Sequence, residues 1–243
     1  MNFLPFIMAG QHGLSATLET LELMEKEGIE RVELGVPFSD PVADGVTIQL
    51  AHESALKEGT NLKAILQLVT DFKKSRPKIK ITLFSYFNPI LQMGLERFKE
   101  RALAAGIDSL LLVDLPAELG AQLFCDQLPL VYLASPTTPL DRVEQLASQT
   151  GPFLYYISRC GVTGAQAQLP PQLLADLVQV RQRVKAPLYV GFGIHCGEQI
   201  ELLRPYCDGV IVGSALVKLQ GDLEAFSHLL KQLHISSVEQ SCL

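Results

Sequence analysis

Two carboxylates stand close together near the start of the chain, in the run Glu33-Leu34-Gly35-Val36-Pro37-Phe38-Ser39-Asp40-Pro41-Val42-Ala43-Asp44-Gly45. Glu33 belongs to the end of an apolar, strand-like stretch, and Asp44 to the Pro- and Gly-rich turn that follows. Burial beside apolar neighbours penalises a carboxylate's charge, so Glu33 is expected to hold its proton toward neutral pH. A loop aspartate with more solvent around it stays ionised. Two carboxyls whose proton affinities are pushed apart can serve as acid and base in one site. The plainer alternatives are a structural ion pair for Glu33 and a turn-forming role for Asp44, because Asp-Gly favours turns.

A second group of residues suits an anion. Glycines end three later apolar runs, in Ser158-Arg159-Cys160-Gly161-Val162-Thr163-Gly164, Gly191-Phe192-Gly193-Ile194 and Gly213-Ser214. Glycine lets backbone N–H groups approach a ligand, and N–H groups at turns and helix starts attract negative charge. Gly164, Gly193, Gly213 and Ser214 therefore form a candidate phosphate cradle; the alternative is that these glycines only relieve tight turns.

The elements that must position these residues follow one rhythm. Short apolar runs at Phe3–Ala9, Arg31–Gly35, Ile79–Phe84, Ser109–Val113, Leu130–Ala134, Phe153–Ile157, Leu188–Gly191 and Gly209–Val212 read as strands covered on both faces. Helical patterns lie between them, near 15–28, 47–75 (as two helices), 95–105, 117–127, 139–149, 171–184, 197–204 and 215–233. Eight β-then-α units argue for an α/β protein of one domain, a (β/α)8 or TIM barrel over residues 1–235, with a frayed polar tail at 236–243. Periodicity alone leaves a doubly wound open sheet as the alternative. In a barrel the chemistry sits where strands end and loops begin, and phosphates dock after strands 7 and 8. The two carboxylates and the glycines fall at such ends.

Composition narrows the function classes. The 243 residues are 48% hydrophobic and 19% charged, with a net charge of −6, which suits a globular domain with a large core. The longest basic cluster, Lys73-Lys74-Ser75-Arg76, is too short for a nucleic-acid surface. No apolar run approaches the roughly 20 residues that span a bilayer, and no leader pattern opens the chain. The five cysteines are scattered, with no CxxC and no zinc-like His/Cys spacing, so reduced thiols in a cytoplasm are expected. Asp114 reads as a loop organiser and Cys160 as inert. His52, His228 and His234 lie on helical patterns and read as surface residues.

The opening run closely resembles the signature of the tryptophan synthase α subunit. So do, in order, Pro5-Phe6, Tyr86-Phe87-Asn88-Pro89, Val113-Asp114-Leu115-Pro116, Ser135-Pro136-Thr137-Thr138-Pro139, the Ser158–Gly164 run, Gly191-Phe192-Gly193-Ile194 and Gly213-Ser214-Ala215. The resemblance implies a (β/α)8 lyase that cleaves indole-3-glycerol phosphate to indole and glyceraldehyde-3-phosphate in tryptophan biosynthesis. It implies no cofactor and no metal on this chain, and a β-subunit partner that carries pyridoxal phosphate, in an αββα heterotetramer.

By position, the resemblance makes Glu33 the general acid–base, Asp44 the acceptor of the indole N–H, and Tyr155 the active-site tyrosine. It lines the indole slot with Phe6, Phe84, Tyr86 and Leu111, and makes Thr163 the lid residue that reaches Asp44. The face bearing Pro37, Asp40 and Pro41 becomes the β-subunit surface. A non-catalytic regulatory subunit and a stand-alone indole-releasing lyase are the other readings. The family's helix before the first strand has no counterpart here. Gln11, His12, Val46 and His195 depart from the family's Asp, Pro, Pro and Ser. A protonated His195 near the phosphate would add a charge-assisted hydrogen bond.

Overall fold

The structure, a computed structural model, describes the chain except residues 76–77, 125–126, 159–168, 170–171, 192 and 239–243 and the side chains at 235, 236 and 238. The sequence-predicted Gly164, Thr163 and Cys160 lie outside the described residues.

Eight parallel strands close on themselves in chain order, each paired with its sequence neighbours and the last with the first. They are β1 (Asn2–Met8), β2 (Arg31–Gly35), β3 (Lys80–Ser85), β4 (Ser109–Leu112), β5 (Leu130–Ala134), β6 (Leu154–Ile157), β7 (Leu188–Gly191) and β8 (Gly209–Val212). The helices are α1 (Gly13–Lys26), α2 (Val46–Lys57), α3 (Leu62–Ser75), α4 (Phe87–Met93), α5 (Leu95–Ala105), α6 (Ala117–Phe124), α7 (Leu140–Gln149), α8 (Leu173–Arg183), α9 (Gly197–Leu203), α10 (Ser214–Val217) and α11 (Leu223–Val238). This is a (β/α)8 barrel whose first element is a strand, not a helix. No helix among the described residues is long and apolar enough to cross a membrane.

Strand alternation divides the apolar residues into two cores. Leu4, Phe6, Met8, Phe84, Leu111, Val131, Phe153, Tyr155, Tyr189 and Ile211 fill the inside of the barrel. Ile7, Val32, Leu34, Leu83, Leu110, Leu154, Tyr156, Val190 and Val210 face the helices. Successive side chains on a strand point to opposite faces, so Tyr155 points in and Tyr156 out.

Three elements differ from the sequence expectation. The sequence pattern places no helix between the strand ending at Phe84 and residue 95, yet helix α4 starts at Phe87, taking in Asn88 and Pro89. A proline in the first turn costs little there, since that N–H has no partner within the helix. The pattern over 215–233 divides into α10 and α11, and the Asp222 carboxylate caps the second by accepting the Ala225 N–H at 3.0 Å. The third difference lies where the sequence reading begins a polar tail, at 236. Helix α11 continues to Val238, and Ser237 is fully buried, with its hydroxyl donating to the His234 carbonyl.

Glycine is required where strands meet large inward side chains. A Cβ at Gly191, on β7, would collide with the ring and hydroxyl of Tyr155 on the adjacent β6. Gly191→Ala is expected to displace Tyr155 and to destabilise the chain by about 1–3 kcal/mol, as overpacking does. Urea unfolding followed by circular dichroism measures it.

Candidate active site

A cavity opens at the C-terminal ends of the strands. Phe6, Glu33, Asp44, Ile48, Phe84, Tyr155, Gly193, Ile211, Gly213 and Ser214 line it. Strands β1, β2, β3, β6 and β8 thus each send a side chain into one space, joined by the β2–α2 loop and by α2.

Glu33 is 1% exposed. Burial pushes its pKa up to about 8, against a smaller opposing pull from the Arg31 guanidinium. Its Oε1 has no hydrogen-bond partner among the described residues, although a buried polar atom ordinarily has one. A protonated carboxylic acid therefore faces the cavity with one oxygen free for a ligand. Arg31 lies two residues earlier on β2 and so on the same face of the strand. Its Nη1 donates to Thr82 Oγ1 at 3.2 Å and to Ser109 Oγ at 3.3 Å.

Asp44 is not the solvated loop aspartate that the sequence suggests. It is 6% exposed, and neighbouring side chains hold it in place. The Tyr86 hydroxyl donates to Asp44 Oδ2 at 2.7 Å and accepts the Ala43 N–H at 3.0 Å. His52 Nε2 lies 3.3 Å from the same Oδ2. Burial and the Asp44 charge raise the Tyr86 pKa, so the phenol keeps the proton it donates. Burial, then the charges of Glu33 and Asp44, does the same for Tyr155.

Phe6 and Phe84 meet edge to face at 5.3 Å and 78°, forming an apolar wall. Leu111 is buried in the same inner core without lining the cavity. Tyr86 does not line it either: the ring lies against Phe38 at 5.0 Å, and the hydroxyl is spent on Asp44. Gly193, with φ +82, Gly213 and Ser214 also line the cavity. Helix α10 begins at Ser214, and the N–H groups of a helix's first turn have no partner within it. His195 is absent from the lining. Its Nδ1 lies 2.8 Å from the Gly193 carbonyl, folding the ring back on its own turn. His12 is likewise elsewhere, packed where a Cβ at Gly221 would strike it. Asp114 accepts the Phe87 N–H at 2.7 Å, organising the loop before α4.

The sequence reading missed Ile48, Ile211 and His52. His52 is 2% exposed, not a surface residue. A signal for it existed: Ile48, Ala51 and Ala55 form the buried stripe of α2, and position 52 falls on that stripe.

A closed (β/α)8 barrel with a buried acid, a second carboxylate, an aromatic wall and glycines gathered at the C-terminal ends of the strands has the layout of a barrel enzyme's active site. The chain belongs to the tryptophan synthase alpha chain family, whose sequence profile matches residues 1–240. It falls with that family among the carbon–carbon lyases of tryptophan biosynthesis. The tryptophan synthase alpha chain of Geobacter sp. (strain M21) is 44% identical over 98% of this chain and 91% of its own. That of Geobacillus thermodenitrificans is 44% identical over 89% and 82%. Among solved structures, the α subunit of Legionella pneumophila superposes with TM-score 0.86 at 33% identity, covering 97% of this chain and 92% of its own. A chain of the Pyrococcus furiosus tryptophan synthase complex superposes with TM-score 0.85 at 33% identity, covering 96% of each.

The Glu33 carboxyl carries a consequence for stability. Its folded pKa is about 8, against an ordinary value of 4.5. Between those values the folded chain keeps a proton that the unfolded chain releases, so stability falls as pH rises across that window. Glu33→Gln should therefore raise the melting temperature relative to the parent at pH 9, and much less at pH 5. Thermal scans at both pH values measure the difference.

Proposed function

We propose that this cavity cleaves indole-3-glycerol phosphate to indole and glyceraldehyde-3-phosphate, with Glu33 moving the protons. The observation that carries the reading is the buried, protonated Glu33 with a free oxygen, in one cavity with Asp44. Glu33 gives its proton to C3 of the indole, and the positive charge that develops reaches the ring nitrogen. Asp44 accepts the hydrogen bond of that N–H and stabilises the charge where it forms. The Glu33 carboxylate then takes the proton of the glycerol hydroxyl next to the ring. The C–C bond breaks, its electrons return to the indole ring, and the hydroxyl carbon becomes the aldehyde of glyceraldehyde-3-phosphate. Glu33 ends protonated as it began, so no outside acid or base is consumed.

Phe6 and Phe84 offer the indole an apolar wall, and the Tyr155 phenol is a donor inside the same space. Gly193, Gly213 and Ser214 take the phosphate through backbone N–H groups. The proposed role of Thr163, closing a lid onto Asp44, and that of Gly164 in the cradle rest on the family pattern alone. The cytoplasm suits an enzyme of amino-acid synthesis with free thiols at Cys196 and Cys207.

Membership of the family implies partnership with a tryptophan synthase β subunit, here in an αββα assembly. The surface that fits it is the β2–α2 loop with the outer face of α2. Val42, Val46 and Leu50 are more than half exposed there, beside a groove lined by Asp40, Pro41 and Leu56. Such an apolar patch marks an interaction site. Pro37, expected on this surface, is buried.

Glu33→Gln keeps the shape and removes the proton, so cleavage should fall about 10²–10⁴-fold while ligand binding survives. Retention of a tenth of the parent's turnover would remove Glu33 from the mechanism. In the parent chain, kcat/KM for cleavage should decline as pH rises through about 8, where Glu33 loses its proton. Gly213→Asp would set a like charge against the phosphate. The affinity for glyceraldehyde-3-phosphate, read by calorimetry on the folded variant, should drop at least tenfold, on the order of the cost of a buried like-charge contact.

A further inference from the structure

His52 is buried and touches both ends of the β2–α2 loop. The Phe38 N–H donates to His52 Nδ1 at 2.9 Å, while Nε2 lies 3.3 Å from Asp44 Oδ2. A backbone N–H can only donate, so Nδ1 must be the accepting nitrogen. The ring proton therefore sits on Nε2 and points at Asp44. The tautomer is set by the hydrogen bond on the far side of the ring, as in other histidines oriented by a second partner. Asp44 Oδ2 then receives two donors, the Tyr86 hydroxyl and His52 Nε2, while Oδ1 receives neither. One oxygen of the carboxylate is occupied and the other is left for the cavity.

We propose that His52 is a positioning residue for Asp44, with a separate task for each ring nitrogen. Nε2 turns the carboxylate so that Oδ1 meets the indole N–H. Nδ1 anchors the start of the loop through the Phe38 N–H. The inference rests on the reading of Asp44 as the acceptor of that N–H. Tyr86 alone leaves the carboxylate able to swing about its one hydrogen bond; a second donor from α2 removes that freedom. The orientation matters most once the ring nitrogen carries positive charge, so its loss falls on kcat more than on KM.

Three variants separate the tasks. In His52→Gln the side-chain amide reaches about as far as Nε2 and can donate to Asp44, but it offers Phe38 no acceptor. In His52→Asn the shorter amide offers a carbonyl near the place of Nδ1 and cannot reach Asp44. His52→Leu supplies neither bond at similar bulk. The measurements are steady-state cleavage of indole-3-glycerol phosphate and hydrogen exchange at the Phe38 amide.

His52→Asn and His52→Leu should lose about tenfold to a hundredfold in kcat, the cost of a misplaced group, with a smaller change in KM. His52→Gln should recover most of that loss. Exchange at Phe38 should stay slow in His52→Asn and become fast in His52→Gln and His52→Leu. Parental kcat in His52→Asn, or the same exchange rate in all three, would overturn the proposal. If His52→Leu does not fold, His52→Asn and His52→Gln still differ from the parent in opposite readouts; if His52→Gln or His52→Asn is lost, the remaining pair still differs in Phe38 exchange or in kcat, respectively. Asp44→Asn is the control: if it cleaves like the parent, the reading of Asp44 has failed, and the Phe38 exchange still tests the Nδ1 task.

Discussion

A carboxylic acid inside a closed apolar barrel is the constraint on which the site depends. Glu33 lies among inward residues that offer Oε1 no partner, and it retains a proton that water would remove. Only complete closure of the sheet produces that environment. Leu4, Phe84, Leu111, Val131 and Phe153 fill inward positions around the ring with apolar bulk. The cost is a destabilising group at the centre of the molecule, tolerated because the same desolvation makes the acid usable at neutral pH.

The two carboxylates are held in different ways. Glu33 and Tyr155 are carried by strands, whose backbones the barrel hydrogen bonds fix from both sides. Asp44 is carried by a loop, and side chains from β3–α4 and α2 supply the rigidity that its backbone lacks. Tyr86 bridges two parts of the loop system by accepting from Ala43 while donating to Asp44. A loop group placed by its neighbours can respond to what happens on the outer surface, while a strand group cannot. The groove beside Asp40 and Leu56, which His52 also lines, is one residue away from the cavity through His52.

Much of this was legible in the chain. Apolar runs, most of them continuous, marked the eight strands because parallel strands are covered on both faces, and alternation allowed only one of Tyr155 and Tyr156 to point inward, the family resemblance naming Tyr155. The acid's raised proton affinity followed from the company Glu33 keeps. The misses were of a different kind. Helix α4 was hidden because Asn88 and Pro89 signal a turn equally well at a helix start. The break before Leu223 turns on Asp222, one capping residue in an otherwise helical pattern. The burial of Asp44 involves Tyr86, 42 residues later in the chain, a contact no local pattern announces, whereas that of His52 goes with the apolar stripe of α2.

Arg31 gives the barrel an asymmetry with a further use. Its guanidinium stands below Glu33 on the same strand, tethered to Thr82 and Ser109, and its charge lowers the proton affinity that burial raises. The strength of the acid is thus adjustable from the side of the barrel opposite the mouth, by residues that never meet the substrate. Lineages living at different internal pH, or an engineer seeking a shifted working range, could retune the proton donor through the floor and leave the recognition surface untouched.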